Sequence, residues 1–557
     1  MLRMLQEHLR EALQEAIREA METDELRSGE LPEITWEYPQ EPAFGDFSTT
    51  VAFSLAKVLK RRPRDIAEAI IKHLSPDPAF VERVEVAGAG YLNFFLTKAF
   101  WRGVVREVLE QGEEYGRAQI GQGRRVQVEF VSANPTGPLH VGHGRGAALG
   151  DALANLLEAV GFQVEREYYI NDAGTQMELL GCSVFARYRE HFGLEVAFPE
   201  DGYKGEYIRD LAFSIAKQEG SRYLEGPESE AVRLLAWKAS AEILAWIRQD
   251  LERFGVRFDR WFSERSLYET GEVDRALGLL KEKGYVYEEE GALWFRSTLF
   301  GDDKDRVLIR STGEPTYYAS DVAYHLEKFR RGYAVVIDIW GHDHHGYVPR
   351  VKAAVQALGY PPGALQIILV QLVSLLRKGR PVAMSTRAGE FVTLKEVVEE
   401  VGKDAARFIF LTRRADSPLD FDLEVAKAQS PENPVYYVQY AHARLTSVLR
   451  EAEKAGLFPP YTDADLSRLD LPEELSLMKQ LSFYPELIFG AASSYEPHRI
   501  TAYLQDLAAQ FHSYYNRHRI ISPDRVLSRA RLALAAGIRT VLKNALAILG
   551  VSAPERM

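Results

Sequence analysis

The sequence predicts a multidomain α/β protein, in which a parallel sheet domain with a helical insertion lies between an N-terminal α+β domain and a C-terminal α-helical bundle. A chain of 557 residues is too long for one hydrophobic core. The apolar residues 126–131 and 333–340 are typical of strands buried in a parallel sheet. These observations, and a helical pattern near the end of the chain, predict domains at residues 1–115, 116–426 and 427–557.

The composition is that of an ordinary globular protein, with 46% hydrophobic and 27% charged residues. Because no stretch approaches the roughly 20 apolar residues of a membrane span, we expect no membrane partner. The N-terminal residues have the pattern of an amphipathic, acid-rich helix, unlike a signal or transit peptide. A single cysteine, Cys182, excludes an internal disulfide and a cysteine-based zinc cluster. The chain is therefore expected in the cytoplasm.

The net charge of −12 argues against a nucleic-acid partner, but the distribution of charge permits one. Residues 517–543 carry seven basic side chains against one acidic side chain, Asp524, and residues 57–64 hold a second basic cluster. Each cluster fits a solvated helix face as well as an RNA-binding surface, and composition alone favours the solvated face.

The N-terminal domain has three helical patterns and a pair of predicted strands. The helices are expected at residues 2–22, 48–61 and 66–74. Residues 81–96 alternate well enough for two strands around a turn at Gly88, Ala89 and Gly90. Residues 112–123 form the predicted linker to the next domain.

The second domain opens with a strand, a turn rich in proline and glycine, and a helix. At such a turn, backbone N–H groups and the positive end of the helix dipole attract phosphates. His140 and His143, three apart, would lie on one side of the first helical turn and could reach the same oxygens. A βα turn can also carry these residue types without binding a ligand. The next strand, residues 162–170, ends at Asn171 and Asp172, which are placed either for a ligand or for an Asx turn.

The second half of the sheet follows an irregular and largely helical stretch at residues 178–290, which is predicted to be an insertion. Its clearest helix covers residues 228–254. If residues 316–324 begin a helix, Tyr317 and Asp321, four apart, share one face.

The strand at residues 333–340 is followed by a polar segment, Gly-His-Asp-His-His-Gly, from Gly341 to Gly346. Neighbours on one loop rarely converge on one ion, and no partner cluster with zinc-site spacing occurs elsewhere, so no metal site is predicted. Residues 365–373 have the pattern of a further buried strand.

The C-terminal domain shows four helical patterns joined by short loops, which predicts a bundle. The helices are expected near residues 433–456, 472–489, 497–516 and 523–549. Aromatic side chains beside arginines suit unstacked RNA bases. The candidate RNA contacts are Tyr436, Tyr440, Arg444 and Tyr514. For each tyrosine, the alternative is a place in the core.

Several segments resemble one known family. VEFVSANPTGPLHVGHGRG, followed by YYINDAGTQ, resembles the HIGH region of class I aminoacyl-tRNA synthetases, and among these the arginyl-tRNA synthetase family. FGDFSTTVAF and GAGYLNFFL resemble that family's N-terminal additional domain, which contacts the tRNA elbow. The bundle and its ending, LGVSAPERM, resemble the anticodon-binding domain. The resemblance implies a Rossmann-like catalytic domain, ATP and Mg²⁺ as cofactors, L-arginine and tRNA(Arg) as partners, and we expect a monomer.

The resemblance also implies roles for residues around the HIGH turn. His140 and His143 would be catalytic, donating hydrogen bonds to the phosphates as charge develops, while Gly142 and Gly144 would let ATP approach the backbone. The other implied ATP contacts are Gly341, Asp343, His344 and Met384.

The loop at residues 377–394 occupies the place of the KMSKS signature, a mobile cationic loop that closes over the triphosphate. It departs from the family pattern, because Ala383 and Thr386 stand where two lysines would be. Ser385 and Arg387 are its candidate catalytic residues. The candidates for the missing positive charge are Arg377, Lys378, Arg380 and Arg387.

Selection of arginine needs planar acceptors for the guanidinium group, which a carboxylate in bidentate contact supplies. Asp321, with Tyr317 beside it, is the first candidate, and Glu129 on the first strand is the second. Asn134, after that strand, suits the α-amino group.

The implied reaction has two steps: ATP activates arginine to arginyl-adenylate, and the arginyl group then passes to the 2′-hydroxyl of the terminal adenosine. In-line attack on the α-phosphate requires positioning and charge stabilisation rather than an enzyme nucleophile. Two alternatives remain. Another HIGH-bearing synthetase, such as one for cysteine, is disfavoured by the missing zinc cysteines. An RNA-binding paralogue without catalysis is a minor alternative, to which the lysine-poor loop gives some weight.

Overall fold

The computed structural model describes residues 1–27, 29–39, 41–382 and 392–557. The N-terminal unit contains four helices and three strands: α1 (Leu2–Glu22), β1 (Phe47–Thr49), α2 (Val51–Leu59), α3 (Pro63–His73), β2 (Val81–Ala87), β3 (Tyr91–Leu96) and α4 (Lys98–Gln111). The strands form an antiparallel sheet of order β1-β3-β2. The two strands predicted around the Gly88 turn are confirmed.

The helix predicted at residues 48–61 is wrong at its start. Phe47–Thr49 is a strand whose Phe47 pairs with Phe94, and the helix begins only at Val51. All three strand residues are buried, so they complete the small sheet instead of extending an amphipathic helix. Sheet pairing outweighs a weak local preference for helix here.

A five-stranded parallel sheet forms the centre of the molecule. Its strands are β4 (Arg125–Glu129), β5 (Gln163–Ile170), β6 (Arg260–Ser263), β10 (Val335–Gly341) and β11 (Leu365–Val370). Their order is β11-β10-β4-β5-β6. Because all the pairings are parallel, the five carboxyl ends meet at one edge of the sheet, where open α/β sheets bind ligands.

The insertion predicted at residues 178–290 therefore needs correction. Arg260–Ser263 is the edge strand of the central sheet and pairs with β5 from Glu167 to Ile170. Four residues are too few to show a clear alternation in the sequence, so the pattern of the surrounding helices hides this strand. The strand predicted at residues 365–373 is also two strands, because Val373 begins β12 of another sheet.

The central sheet is surrounded by helices and two smaller sheets. The helices of this unit are α5 (Val141–Ala159), α6 (Thr175–His191), α7 (Glu206–Glu219), α8 (Glu228–Arg253), α9 (Arg265–Glu269), α10 (Glu272–Glu282), α11 (Tyr317–Arg330), α12 (Val348–Leu358), α13 (Leu394–Val401), α14 (Lys403–Phe410) and α15 (Leu423–Lys427). The smaller sheets comprise β7 (Val286–Glu289), β8 (Ala292–Phe295) and β9 (Arg306–Ile309), and β12 (Val373–Arg377), β13 (Arg380–Pro381) and β14 (Leu419–Asp422).

The C-terminal bundle has the four predicted helices: α16 (Pro434–Lys454), α17 (Pro472–Ser494), α18 (His498–Arg517) and α19 (Arg525–Ile548). Buried Arg407 of α14 ties this bundle to the helix after the first sheet strand. Its guanidinium donates to the carbonyl of Leu549 at 3.0 Å and to the Asp151 carboxylate of α5 at 2.5 Å. Within the described part of the chain, no helix combines the length and the apolar character needed to cross a membrane.

Candidate active site

A cavity of about 850 Å³ opens at the carboxyl edge of the central sheet. Each of the five strands delivers polar side chains to it, because parallel strands end at the same edge. The polar lining residues that follow the strands are Ser132, Asn134, Asn171, Glu264, His342, Asp343, His344 and Gln371. Among the described residues that line the cavity, none is a lysine or an arginine. An anion bound in the cavity would therefore be held by main-chain N–H groups and neutral side chains of this lining.

The N-terminus of α5 forms one end of the cavity. His140 is the N-cap, and its Nδ1 accepts a hydrogen bond from the Gly142 N–H at 3.1 Å. His143 Nδ1 accepts from the His140 N–H at 3.2 Å. Since both Nδ1 atoms are acceptors, the neutral rings carry their hydrogens on Nε2.

The two imidazoles stack with ring centroids 3.7 Å apart. Burial lowers the pKa of His140, and burial together with the neighbouring His140 lowers the pKa of His143 to about 3. Both rings are therefore neutral hydrogen-bond donors at neutral pH.

The glycines of this turn serve different purposes. Gly142 and Gly146, four residues apart, lie on the helix face that lines the cavity. Gly144, predicted to contact ATP, lies on another face, where an added Cβ would come within 2.6 Å of Leu394 and 3.1 Å of Phe410. Gly144 therefore serves packing between α5 and its neighbours and does not line the cavity.

Carboxylates form the opposite end of the cavity. Asp321 on α11 lines it and accepts a hydrogen bond from the Tyr347 hydroxyl. Glu264, which directly follows β6, also lines it and accepts from the Ser320 hydroxyl at 3.0 Å. Burial raises the pKa of Asp321 to about 6. Burial, with a further contribution from the charge of Asp321, raises the pKa of Glu264 to about 7.

Glu129, the second predicted arginine ligand, lies on the floor of the cavity and already has protein partners. Its Oε1 accepts from the Ser132 hydroxyl at 2.9 Å, and its Oε2 accepts from the Lys328 ammonium at 2.5 Å. Glu129 is thus already paired with a cation, whereas Asp321 and Glu264 form no ion pair with another described residue, so these two carboxylates are the better partners for a bound cation.

Tyr317 and Asn134 also line the cavity. Tyr317 is 51% exposed, and its hydroxyl lies 3.4 Å from the Thr175 hydroxyl. Asp172, in contrast, ties two strand ends together, because its carboxylate accepts from the Ser263 hydroxyl at 2.6 Å and from the Arg265 N–H at 3.1 Å.

The third side of the cavity is a short 3₁₀ helix, His342–Tyr347, after β10. Gly341, Asp343 and His344 line the cavity from this side. The described residues contain no group of three or more histidine, cysteine, aspartate or glutamate side chains that could hold a metal ion.

The candidate residues of the loop at residues 377–394 differ in what the structure shows of them. Met384, Ser385 and Arg387 lie outside the described residues. Arg377 is committed to Glu400, with its two terminal nitrogens 2.7 and 2.8 Å from the two carboxylate oxygens. Beyond the loop, the Leu394 N–H donates to the Leu139 carbonyl at 2.8 Å, which joins α13 to the turn before α5.

In the bundle, three of the four RNA candidates form one cluster. The rings of Tyr436 and Tyr440 stack at 6.0 Å, and the Arg444 guanidinium lies 4.5 Å above the Tyr440 ring. Tyr514 is buried, and its hydroxyl donates to Glu474 at 2.9 Å. The prediction of Tyr514 as an RNA contact is wrong, because a base cannot reach a ring inside the bundle core.

Sequence analysis missed three residues around the acidic end: Glu264, Tyr347 and Lys328. Glu264 stands at the end of a short strand that the helical interpretation concealed. Lys328 lies seven residues after Asp321 on the same helix face, a spacing of two turns that could have indicated it.

Comparison with family models matches three successive parts of the chain. Residues 4–96 match the arginyl tRNA synthetase N terminal domain, residues 104–429 match the tRNA synthetases class I (R) catalytic domain, and residues 438–557 match the DALR anticodon binding domain. The middle match contains the whole cavity.

Individual proteins match over nearly their full length. The chain is 57% identical to an arginine–tRNA ligase of Syntrophotalea carbinolica, with 99% of this chain and 100% of that protein covered. It is 49% identical to an arginine–tRNA ligase of Bacillus subtilis, with 95% of each covered. Among solved structures, Thermus thermophilus arginyl-tRNA synthetase is similar with a TM-score of 0.76 and 28% identity, covering 99% of this chain and 100% of that one.

Proposed function

Because the chain belongs to the arginyl-tRNA synthetases, a family of class I aminoacyl-tRNA synthetases, we propose that it joins L-arginine to tRNA(Arg) with ATP. The observation that carries this proposal is the division of one cavity into an acidic end and a helix N-terminus with two neutral histidines. The acidic end suits a guanidinium, and the helix end suits phosphates.

At the acidic end, the arginine guanidinium lies between Asp321 and Glu264. Two carboxylates supply the planar, bidentate acceptors that a five-donor cation requires. Tyr317 covers the exposed side, while Asn134 and the floor residue Glu129 face the α-amino group. This assignment is supported by the burial of Glu264 and the partial burial of Asp321, which make both carboxylates costly to leave ionised without a cation.

At the helix end, ATP places its phosphates against the first turn of α5. His140 and His143 donate through Nε2 to the oxygens on which charge accumulates, and Gly142 allows close approach. Mg²⁺, when bound with ATP, would neutralise part of the phosphate charge, and Asp343 is the carboxylate on the 3₁₀-helix side of the cavity that could support it. Gly341, Asp343 and His344 hold the ribose and adenine, with the Asp343 carboxylate accepting the ribose hydroxyls.

The tRNA contacts extend over the remaining domains. We assign residues 1–115 to the tRNA elbow, 116–426 to catalysis and 427–557 to the anticodon. Arg444 and the paired rings of Tyr436 and Tyr440 offer a stacking surface beside a cation, which suits unstacked bases. The lone cysteine fits a reducing compartment such as the cytoplasm.

ATP–pyrophosphate exchange tests the proposal. We expect exchange that depends on arginine and rises when tRNA(Arg) is added. Exchange supported by cysteine instead would favour another HIGH-bearing synthetase. Binding of tRNA(Arg) without any exchange would favour an RNA-binding paralogue that has lost catalysis.

A further inference from the structure

A buried lysine lies directly behind the acidic end of the cavity. Lys328 of α11 is 0% exposed and does not line the cavity. Its ammonium contacts Glu129 at 2.5 Å and Asp338 at 2.7 Å. These carboxylates are register partners on the neighbouring strands β4 and β10. One cation therefore joins two strand ends to the helix that carries Asp321.

His325 extends this connection to Asp321 itself. Its Nδ1 lies 2.7 Å from the Asp321 carbonyl, and its Nε2 lies 2.9 Å from the second carboxylate oxygen of Asp338. Both neighbours are acceptors, so either ring nitrogen is placed to donate. Side chains thus connect Glu129, through Lys328, Asp338 and His325, to the backbone of Asp321.

The ionisation of Lys328 and that of Asp338 depend on each other. Burial alone would lower the pKa of Lys328, but Asp338 and Glu129 outweigh it and raise that pKa. Burial would raise the pKa of Asp338, but Lys328 and His325 outweigh it and hold that pKa at about 2. The ammonium is therefore a fixed charge, and its loss leaves two buried carboxylates without their common partner.

We propose that Lys328 is a positioning residue for arginine binding, which acts by holding β4 and β10 against α11 and by keeping Glu129 engaged. The inference rests on the proposed function, in which Asp321 and Glu264 bind the guanidinium. With Lys328 in place, Glu129 stays on the floor of the cavity and Asp321 keeps its position and orientation before substrate arrives. Binding then requires little rearrangement of the acidic end.

The test compares arginine with ATP in a Lys328→Met variant. We expect KM for arginine to rise by roughly tenfold, as is typical when a coupled but non-contacting residue is removed. KM for ATP should stay within about twofold, because the partners of Lys328 and His325 are Glu129, Asp338 and Asp321, which lie outside the α5 turn.

The control removes another cation that serves two carboxylates, the half-buried Arg306. Arg306 is bonded to Asp302 at 2.8 and 2.9 Å and also to Asp303, and none of the three lines the cavity. Arg306→Met should lower thermal stability and leave both KM values unchanged. An equal rise of the arginine KM in this control would overturn the proposal, since general loosening of the fold would then explain the effect.

A second variant distinguishes the loss of positioning from the loss of charge balance. It also serves as the test protein if Lys328→Met does not fold. Lys328→Met/Asp338→Asn removes one charge of each sign, so thermal stability should recover in part while the arginine KM stays high. A wild-type arginine KM in the double variant overturns the proposal. Asp321→Ala belongs in the same series, because unchanged arginine affinity there would instead refute the proposed function.

Discussion

The two ends of the cavity handle charge in opposite ways. The acidic end uses side chains that are buried and difficult to ionise, with the pKa of Asp321 at about 6 and that of Glu264 at about 7. The α5 end uses main-chain N–H groups and two imidazoles whose lowered pKa keeps them neutral. The acidic end gains most from a cation of the right shape, which gives selectivity. The helix end offers fixed donors that need no change of protonation as phosphate charge develops.

The largest expected effect comes from removing a carboxylate from the acidic end. Asp321→Ala should weaken arginine binding by about a thousandfold, because truncating one partner of a buried charge pair costs roughly 2–5 kcal/mol. ATP affinity should change little. Isothermal titration with each ligand measures the difference.

Asp321→Asn provides the matched control, since it keeps the shape and an acceptor for the Tyr347 hydroxyl while removing the charge. Its arginine affinity should fall between those of the wild type and the alanine variant. Equal losses for arginine and ATP in either variant would mean that the two ends of the cavity are not separate.

The corresponding change at the helix end should affect the rate instead of arginine affinity. His140→Asn keeps a good N-cap for α5 but removes the Nε2 donor. We expect adenylate formation to slow by about a hundredfold, as for the loss of one preorganised donor to developing charge. Arginine affinity should stay within about twofold, and pyrophosphate exchange with tRNA present measures the rate. Near-normal exchange would remove His140 from the catalytic group.

Arginine affinity should also depend on pH, whereas hydrogen bonding by the donors at the ATP end should not show this dependence. Asp321 and Glu264 must be ionised to pair with a guanidinium that stays charged throughout. Both pKa values are raised, so below about pH 7 a proton must leave before arginine binds. Affinity should fall by about tenfold per pH unit for each protonated carboxyl and level off above that pH.

Titrations from pH 5.5 to 8 test this dependence, with Glu264→Gln as the control. That variant should lose the part of the dependence nearest pH 7 and keep the part that belongs to Asp321. A flat profile in the wild-type protein would show that neither carboxyl carries a proton in the free cavity.

The sequence was sufficient for the fold class and the family, and both predictions are confirmed. Long periodic helices such as α1 and the motif around His140 depend on local patterns, so they could be recognised residue by residue. The edge strand Arg260–Ser263 could not, because its identity depends on pairing with β5. Glu264 was missed for the same reason.

Side-chain environments were harder to predict than elements. Lys328 lies in the last turn of a helix, where a basic residue usually faces solvent. It is nevertheless fully buried between two carboxylates. Tyr514, like Tyr436 and Tyr440, lies among aromatic and basic residues in the sequence. Its ring nevertheless faces the bundle core. Burial and partners are set by tertiary packing, which a single sequence does not display.

The smallest expected effect is that of changing Glu129. It tests whether the carboxylates of the cavity differ in how much they contribute to arginine binding. Glu129 already accepts from Ser132 and Lys328, so it has little capacity left for a guanidinium. Glu129→Gln keeps one acceptor oxygen, which can face Lys328, while its amide NH2 can donate to the Ser132 hydroxyl, and Lys328 keeps Asp338 as its counter-ion. Arginine affinity should therefore fall by only about fivefold, the size of one weakened hydrogen bond of roughly 1 kcal/mol. A loss as large as that of Asp321→Ala, measured by the same titration, would make Glu129 a direct guanidinium ligand and move the selective contact to the floor of the cavity.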